Sequence, residues 1–317
     1  MSFELVTFKN ELMEVRVFCP ATIANLNCGF DVMGLCLENI GDEMIFRKTT
    51  TKGIQITEII GADLPYETSK NVAGVAALTV IENRDIDFGI TIEIHKNIKA
   101  GSGIGSSSAS AAGAVFGVNE LLGRPFSKTE LIPFAMKGEA LASGSEHADN
   151  VAPCLLGGFT LVRGYHPLDV IKITSPEKMY AVVLHPHIEV KTVDARAVLE
   201  ATIPFHKAIT QWGNLGGLIA GLYTQDYALI SRSLQDVVVE PFRKHLIPHF
   251  EKVKAIALEE GALGSGISGA GPSIFALCEG KEIAETVAQA MKAEYSKTQI
   301  PFDIYLSKVN DKGVTLL

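Results

Sequence analysis

Residues 101–113 read GSGIGSSSASAAG, with Lys99 just before them and the next charged residue only at Glu120. The stretch follows FGITIEIH (88–95), whose alternation and β-branched residues read as a strand. It leads into SASAAGAVFGVNELLG, which reads as a helix closed by Gly123. A strand, a glycine turn and a helix start together aim unpaired N–H groups and the positive dipole end at an anion. Gly101, Gly103 and Gly105 allow close backbone approach, and Ser106, Ser107 and Ser108 offer hydroxyls. The Walker pattern GxxxxGK[ST] is absent, and G-x-G-x-G without an early βαβ unit is not a Rossmann fingerprint. A capped turn of small residues accounts for the same letters, so the run alone leaves phosphate cradle and packing turn both open. A membrane span is a poor fit: the uncharged run Ala100–Asn119 is long enough but holds five Gly and five Ser.

Elsewhere the chain interleaves strands and helices. EVRVFC (14–19), segments near 43–49 and 54–58, GGFTLVRG (157–164), MYAVVLH (179–185), PSIFALC and FDIYLSKV read as strands. Ser69 is the expected N-cap of a helix over NVAGVAALTVIE, and Ser127 with Glu130 forms a capping box for LIPFAMKGEALA. Further helices are predicted over about 192–200, 207–223, 247–260 and 281–294. Several strand pairs lie too close in sequence for parallel crossovers, which favours α+β over a doubly wound sheet. At 317 residues the chain suits two domains, with a division expected at 1–165 and 166–317.

Composition narrows the partners. Hydrophobic residues make up 47% and charged residues 20%, enough for a sizeable core. A net charge of −8 without a Lys/Arg cluster argues against nucleic acid and leaves a small molecule as the partner. Cys19, Cys28, Cys36, Cys154 and Cys278 are odd in number and form no CxxC pair, so free buried thiols are expected. The opening MSFELVTFKNELMEVRV carries acids and no apolar run, so it does not read as a signal peptide, and a cytoplasmic location is expected.

Two more stretches matter. PATIANLNCGFDVMGLCLE (20–38) places Asn25, Asn27 and Asp31 in an apolar loop, where turn chemistry explains them as well as binding does. GALGSGISGAGPSIFALC (261–278) is a second glycine loop. Taken together and in order, these stretches resemble the GHMP kinase superfamily: the first its opening motif, GSGIGSSSAS its phosphate loop, ISGAGPSIFAL its third motif. GEALASGSEHADNVAPCLLGG (138–158) and VVVEPFRKHLIP (237–248) are similar to segments of the homoserine kinases within it.

The resemblance implies a two-domain α+β fold, with a ribosomal S5 domain 2-like N-terminal domain and a ferredoxin-like C-terminal domain. It implies transfer of phosphate from ATP, with Mg²⁺, to the side-chain hydroxyl of L-homoserine, a step toward threonine. The ATP cradle would be Lys99, Ala100, Gly101, Ser102, Gly103, Ile104, Gly105, Ser106, Ser107 and Ser108, closed by Ser268, Gly269, Ala270 and Gly271. Lys99 stands where the family usually has proline, a change that would alter the loop's entry and add positive charge beside the nucleotide. Ser107 and Glu139 would hold the metal. Asp31 would meet the ammonium with Asn25 beside it, Arg196 and Arg243 the carboxylate, and His147 the substrate. His147, Asp149 and Asn150 would flank the reacting hydroxyl; capping of the next segment is the structural alternative for Asp149 and Asn150. A homodimer is also implied. A mevalonate- or sugar-type kinase on the same fold, or a nucleotide-binding sensor without turnover, are the alternatives; the charged Asp31, Arg196 and Arg243 speak against the first and the retained Ser107 and Glu139 against the second.

Overall fold

The structure, a computed structural model, describes residues 13–82 and 84–317. The opening segment, read above as no signal peptide, therefore lies largely outside the described residues. No described helix is long and apolar enough to cross a membrane.

The first sheet begins with β1 (Glu14–Ala24), β2 (Met33–Thr49) and β3 (Gly53–Ile60). Helix α1 (Val72–Ile81) crosses over to β4 (Gly89–His95), and β3–β4 is the one parallel ladder among the described strands. Both β1 and β2 run further than the alternation predicts. β1 continues through Pro20 across an irregularity between Pro20 and Thr22 and so carries the start of the first motif within the sheet. The cap of α1 is Asn71 rather than Ser69: its side chain accepts from the Ala73 and Gly74 N–H groups, while Ser69 sits in a short 3₁₀ turn just before it.

Helices α2 (Ser106–Leu121), α3 (Lys128–Ser143) and α4 (Val151–Leu156) follow, then the hairpin β5 (Phe159–Tyr165) and β6 (Leu168–Ile173). The Ser127–Glu130 capping box opens α3 as expected. α2 is buried almost along its whole length, which its Ala, Gly and Ser composition allows. At Gly117 a β-carbon would stand 2.2 Å from the Phe46 ring, so only glycine lets the helix lie this close to β2.

The chain continues through β7 (Met179–Pro186), α5 (Thr192–Ala197), α6 (Phe205–Thr224), α7 (Tyr227–Ser233), α8 (Glu240–Arg243) and α9 (Phe250–Glu259). It closes with β8 (Gly264–Ile267), β9 (Ile274–Glu279), α10 (Lys281–Tyr295), β10 (Phe302–Lys308) and β11 (Thr315–Leu316). The second sheet is antiparallel in the order β10–β7–β9–β8, which is the β-α-β-β-α-β ferredoxin-like arrangement. A core of Val182, Leu184, Phe250, Val253, Ile274, Val287 and Tyr295 binds α9 and α10 to it.

The sheets do not divide at residue 165. β6 extends the first sheet to Ile173, and β11 returns from the chain's far end to pair with β1, giving the order β11–β1–β2–β4–β3 with β5–β6 attached to β2. A hairpin cannot be split between two sheets without losing its own hydrogen bonds, which places the division after β6. All five cysteines are free and buried, as their spacing predicts.

Candidate active site

The loop 101–105 leaves β4 and enters α2 through three left-handed glycines, with φ of 71° at Gly101, 79° at Gly103 and 73° at Gly105. Gly103 also needs its hydrogen side chain for space, since a β-carbon there would lie 2.5 Å from the Gly271 carbonyl oxygen. That contact belongs to a latch between the two sheets. Ser268 Oγ donates to the Gly103 carbonyl (2.7 Å) and Ser273 Oγ to the Ser102 carbonyl (2.6 Å). Thr22 N–H donates to the Ile104 carbonyl (3.1 Å), and Gly269 N–H to the Ala24 carbonyl (3.3 Å). The loop 101–108 and the third motif thus line one cleft of about 480 Å³, a size ordinary for a ligand site, with the first motif bonded to both from behind.

That cleft is lined by Ala100–Gly103 and Gly105–Ser108, by Leu64, Pro65 and Lys70–Val72, by Glu189–Val193, and by Gly269–Gly271. The first N–H groups of α2 have no partners within the helix. Beneath them the buried Lys96 ammonium binds Asp42, the Ser106 carbonyl (2.9 Å) and Ser110 Oγ (3.0 Å), and it lines the cleft. Lys99 does not. Its Nζ reaches Asp303 (2.9 Å) and His187 (2.7 Å) on the second sheet, so the positive charge expected beside the nucleotide is turned away and paired. Ile104 is buried and forms the loop's anchor rather than its lining.

Glu139, on α3, is buried and not the surface acid its place near a helix end permits. Its carboxylate accepts from Ser107 Oγ (2.9 Å) and Ser108 Oγ (3.0 Å). Burial pushes its carboxyl up to about 7, against the pull of these two hydroxyls and Lys96. One carboxylate and one hydroxyl facing a phosphate cradle suit Mg²⁺, which keeps several waters and takes substrate phosphates as ligands. Among the described residues no cluster of three His, Cys, Asp or Glu offers a fuller cage.

A second, smaller pocket of about 90 Å³ opens from the same wall. Ser108, Glu139, Asn150, Thr192, Gly269 and Ala270 line both spaces, so their occupants would touch there. Its floor is the first motif. Asn25, Leu26, Asn27 and Asp31 all take positive φ, a tight turn in which Asn25 Oδ1 accepts the Asp31 N–H (3.0 Å) and Nδ2 donates to the Gly269 carbonyl (2.8 Å). Turn chemistry and site placement are here the same thing. Asn27 lies behind the pocket, donating to the Leu234 and Ser265 carbonyls.

Arg196, from α5, donates through Nη2 to both Asp31 oxygens (2.8 and 3.0 Å) and lies 2.9 Å from His147 Nε2. Its Nε is buried with no acceptor. Arg243, from α8, is buried, with Nε on the Ala195 carbonyl (2.8 Å) and Nη1 on the Gly269 carbonyl (3.3 Å). Among the described residues no carboxylate contacts it, and burial together with nearby Arg196 lowers its pKa to about 10. Phe30 lies beneath both guanidinium groups, 5.6 and 4.8 Å from its ring centre. His147 also meets Ser145 Oγ (2.7 Å), and burial lowers its pKa.

Asn150 flanks α4 but its side chain caps nothing; its Oδ1 instead accepts from Thr22 Oγ1 (2.7 Å). Asp149 is buried in the pocket wall, and burial, then Asp31 and Glu139, push its carboxyl up to about 7. An acid harder to ionise folded than unfolded weakens the fold as pH rises from about 4 toward 7, and by the full amount above that. Asp149→Asn is therefore expected to raise Tm by a few degrees at about pH 8 and to change it little at about pH 4. Thermal unfolding at the two pH values checks this; an equal change at both would reject charge burial as the cause.

The structure thus gathers Asn25, Asp31, His147, Asp149, Asn150, Arg196 and Arg243 in one pocket and Ser107 and Glu139 at its border. Sequence reasoning missed Thr22, Phe30, Lys96, Ser143, Thr192 and Ser273. Thr22 and Phe30 lie inside the quoted first motif and could have been found there; Ser143 and Thr192 carry no local signal.

The family model for the GHMP kinases N terminal domain matches residues 71–158, and that for the GHMP kinases C terminal matches 218–297. A homoserine kinase of Chlorobium phaeobacteroides (strain BS1) is 46% identical, with 96% of this chain and 99% of that protein covered. The chain belongs to the homoserine kinase family. The crystal structure of homoserine kinase from Cytophaga hutchinsonii superposes over all of both chains with a TM-score of 0.94 at 48% identity. L. major mevalonate kinase, at 15% identity and a TM-score of 0.67, shares the fold with this homoserine kinase-family chain.

Proposed function

We infer that the chain is a homoserine kinase, transferring the γ-phosphoryl group of ATP to the side-chain hydroxyl of L-homoserine. The observation that carries this reading is the shared wall: a phosphate-sized cradle and a pocket with charges for a zwitterion meet at Glu139 and Asn150. In our reading ATP lies in the larger cleft with its phosphates on the N-terminus of α2, and Glu139 and Ser107 hold Mg²⁺. When bound, that ion neutralises charge building up on the phosphate oxygens.

The substrate's ammonium takes Asp31, and its carboxylate takes the unpaired edges of Arg196 and Arg243. The Asp31–Arg196 pair then parts to admit a ligand carrying both charges, exchanging one internal ion pair for two external ones. A sugar or mevalonate offers no ammonium, and would strand Asp31 once the pair opened. Asn150, oriented by Thr22, stands where the hydroxyl meets the γ-phosphate. A loose transition state lets the hydroxyl proton leave late, so no side chain, Asp149 included, need act as a base. The homodimer implied by the resemblance belongs to the same reading.

The test is ADP release with Mg·ATP over homoserine, mevalonate, galactose and shikimate. Turnover is expected with homoserine alone. No signal with homoserine while another substrate turns over would overturn the assignment, and nucleotide binding without any turnover would favour the sensor.

A further inference from the structure

The first motif sets two consecutive side chains, Phe30 and Asp31, against the arginines of the smaller pocket. The chain is pinned on both sides of Phe30. Gly29 N–H donates to the Asn25 carbonyl (2.9 Å), Met33 N–H to the Gly29 carbonyl (2.8 Å), and Asp31 N–H to Asn25 Oδ1 (3.0 Å). The Asp31 carboxylate takes Arg196, while the Phe30 ring centre lies 5.6 Å from the Arg196 guanidinium carbon and 4.8 Å from that of Arg243. Both distances fall within the roughly 6 Å over which a ring face attracts a cation.

Phe30 is also a partition. Behind the 90 Å³ pocket lies a void of about 10 Å³, and Asn25, Phe30, Arg243 and Gly269 line both spaces. Two acids, Asp236 and Glu240, line the void from its far side. Arg243 reaches neither, since its bonds go to the Ala195 and Gly269 carbonyls. Asp236 accepts the Val238, Val239 and Glu240 N–H groups, and Glu240 pairs with Lys254 (2.5 Å). A buried guanidinium thus stands close to two carboxylates and still keeps an edge free for something else.

We propose that Phe30 is a positioning residue for the substrate's carboxylate: its ring holds the Arg196 and Arg243 guanidinium groups toward the pocket and walls Arg243 off from the acids behind. The proposal rests on the kinase reading above. Two guanidinium groups in one small pocket repel each other, and burial strips them of water. A protein carboxylate set between them would relieve this but would compete with the carboxylate of the ligand. A ring face attracts a cation without charge of its own and without occupying N–H donors, so the donors stay available. An aliphatic side chain fills the same space without that pull. The ring also stays in place when Asp31 turns to the ammonium and Arg196 gives up its carboxylate partner. Arginines already aimed cost less to order on binding, which is affinity gained without a new contact to the ligand.

The experiment replaces Phe30 in the full chain by phenylalanines carrying one, two or three ring fluorines. Fluorine drains electron density from the ring face and barely changes its shape, so a side chain that only packs would show no trend. The KM for L-homoserine is expected to climb with each fluorine, reaching about 10-fold for the trifluorinated ring, while the KM for ATP stays flat. A second measurement needs no substrate. In the unliganded protein the Arg196 and Arg243 Nε–H proton resonances are expected upfield through the ring current, and downfield of that in Phe30→Leu. A KM for homoserine that ignores the fluorines, or arginine resonances unmoved in Phe30→Leu, overturns the proposal. Shifted resonances in a chain that does not phosphorylate homoserine would instead sink the kinase reading and leave the hold of Phe30 on the arginines standing.

Discussion

Arg243→Lys is expected to raise the KM for L-homoserine by about 10- to 100-fold, the value of a charge-assisted hydrogen bond in a buried site. The KM for ATP should stay near that of the wild type. Arg243 spends Nε and Nη1 on the Ala195 and Gly269 carbonyls, which fixes the plane of the guanidinium over Phe30. Nη2 is left as the donor without an acceptor among the described residues. Lysine keeps the charge but has no planar fork, so it can satisfy a backbone carbonyl or the substrate carboxylate, not both in fixed directions. Steady-state kinetics with each substrate varied in turn separate the two constants. Equal losses for both would move Arg243 to the nucleotide side.

Glu139→Gln is expected to lower kcat by about 10²–10³, the usual effect of removing one group that stabilises charge in the transition state. The fold should not suffer. Glutamine keeps an acceptor for one serine and gains a donor for the other, whose hydroxyl can rotate. It also removes a carboxylate from a site where burial makes ionisation costly. The variant should therefore unfold no earlier than wild type at about pH 8 while needing more Mg²⁺ for half-maximal rate. Turnover and Mg²⁺ dependence both unchanged would remove Glu139 from the metal role.

The two predictions rest on residues of different legibility. The letters of 101–108 alone left cradle and packing turn open, and it was the order of the motifs around them that made the loop legible; Glu139 followed by the same resemblance. Its burial did not: a glutamate one turn from a helix end looks like a surface acid until α3 is packed on α2. Lys99 was misplaced for a related reason. Its partners Asp303 and His187 are brought beside it only by the β10–β7 register, and no local pattern reports a register. The Asp31–Arg196 pair joins residues 165 apart. β6 and β11 escaped notice because their strand character comes from the neighbour they pair with, β6 beside β5 and β11, two residues long, beside β1. Asn71 won the cap from Ser69 because only its side chain stands where the first free N–H groups of α1 point.

The seryl latch has a consequence for how the enzyme is made. Ser273 holds Ser102 across 171 residues, and Ser268 holds Gly103 across 165. On the ribosome, the segment we assign to the phosphates is thus translated long before the segment that latches it. A nascent or truncated chain lacking the third motif has the glycines but not their conformation. Nucleotide affinity should therefore switch on late in synthesis, when β8 and β9 emerge together, and a half-made chain would neither bind nor hydrolyse ATP.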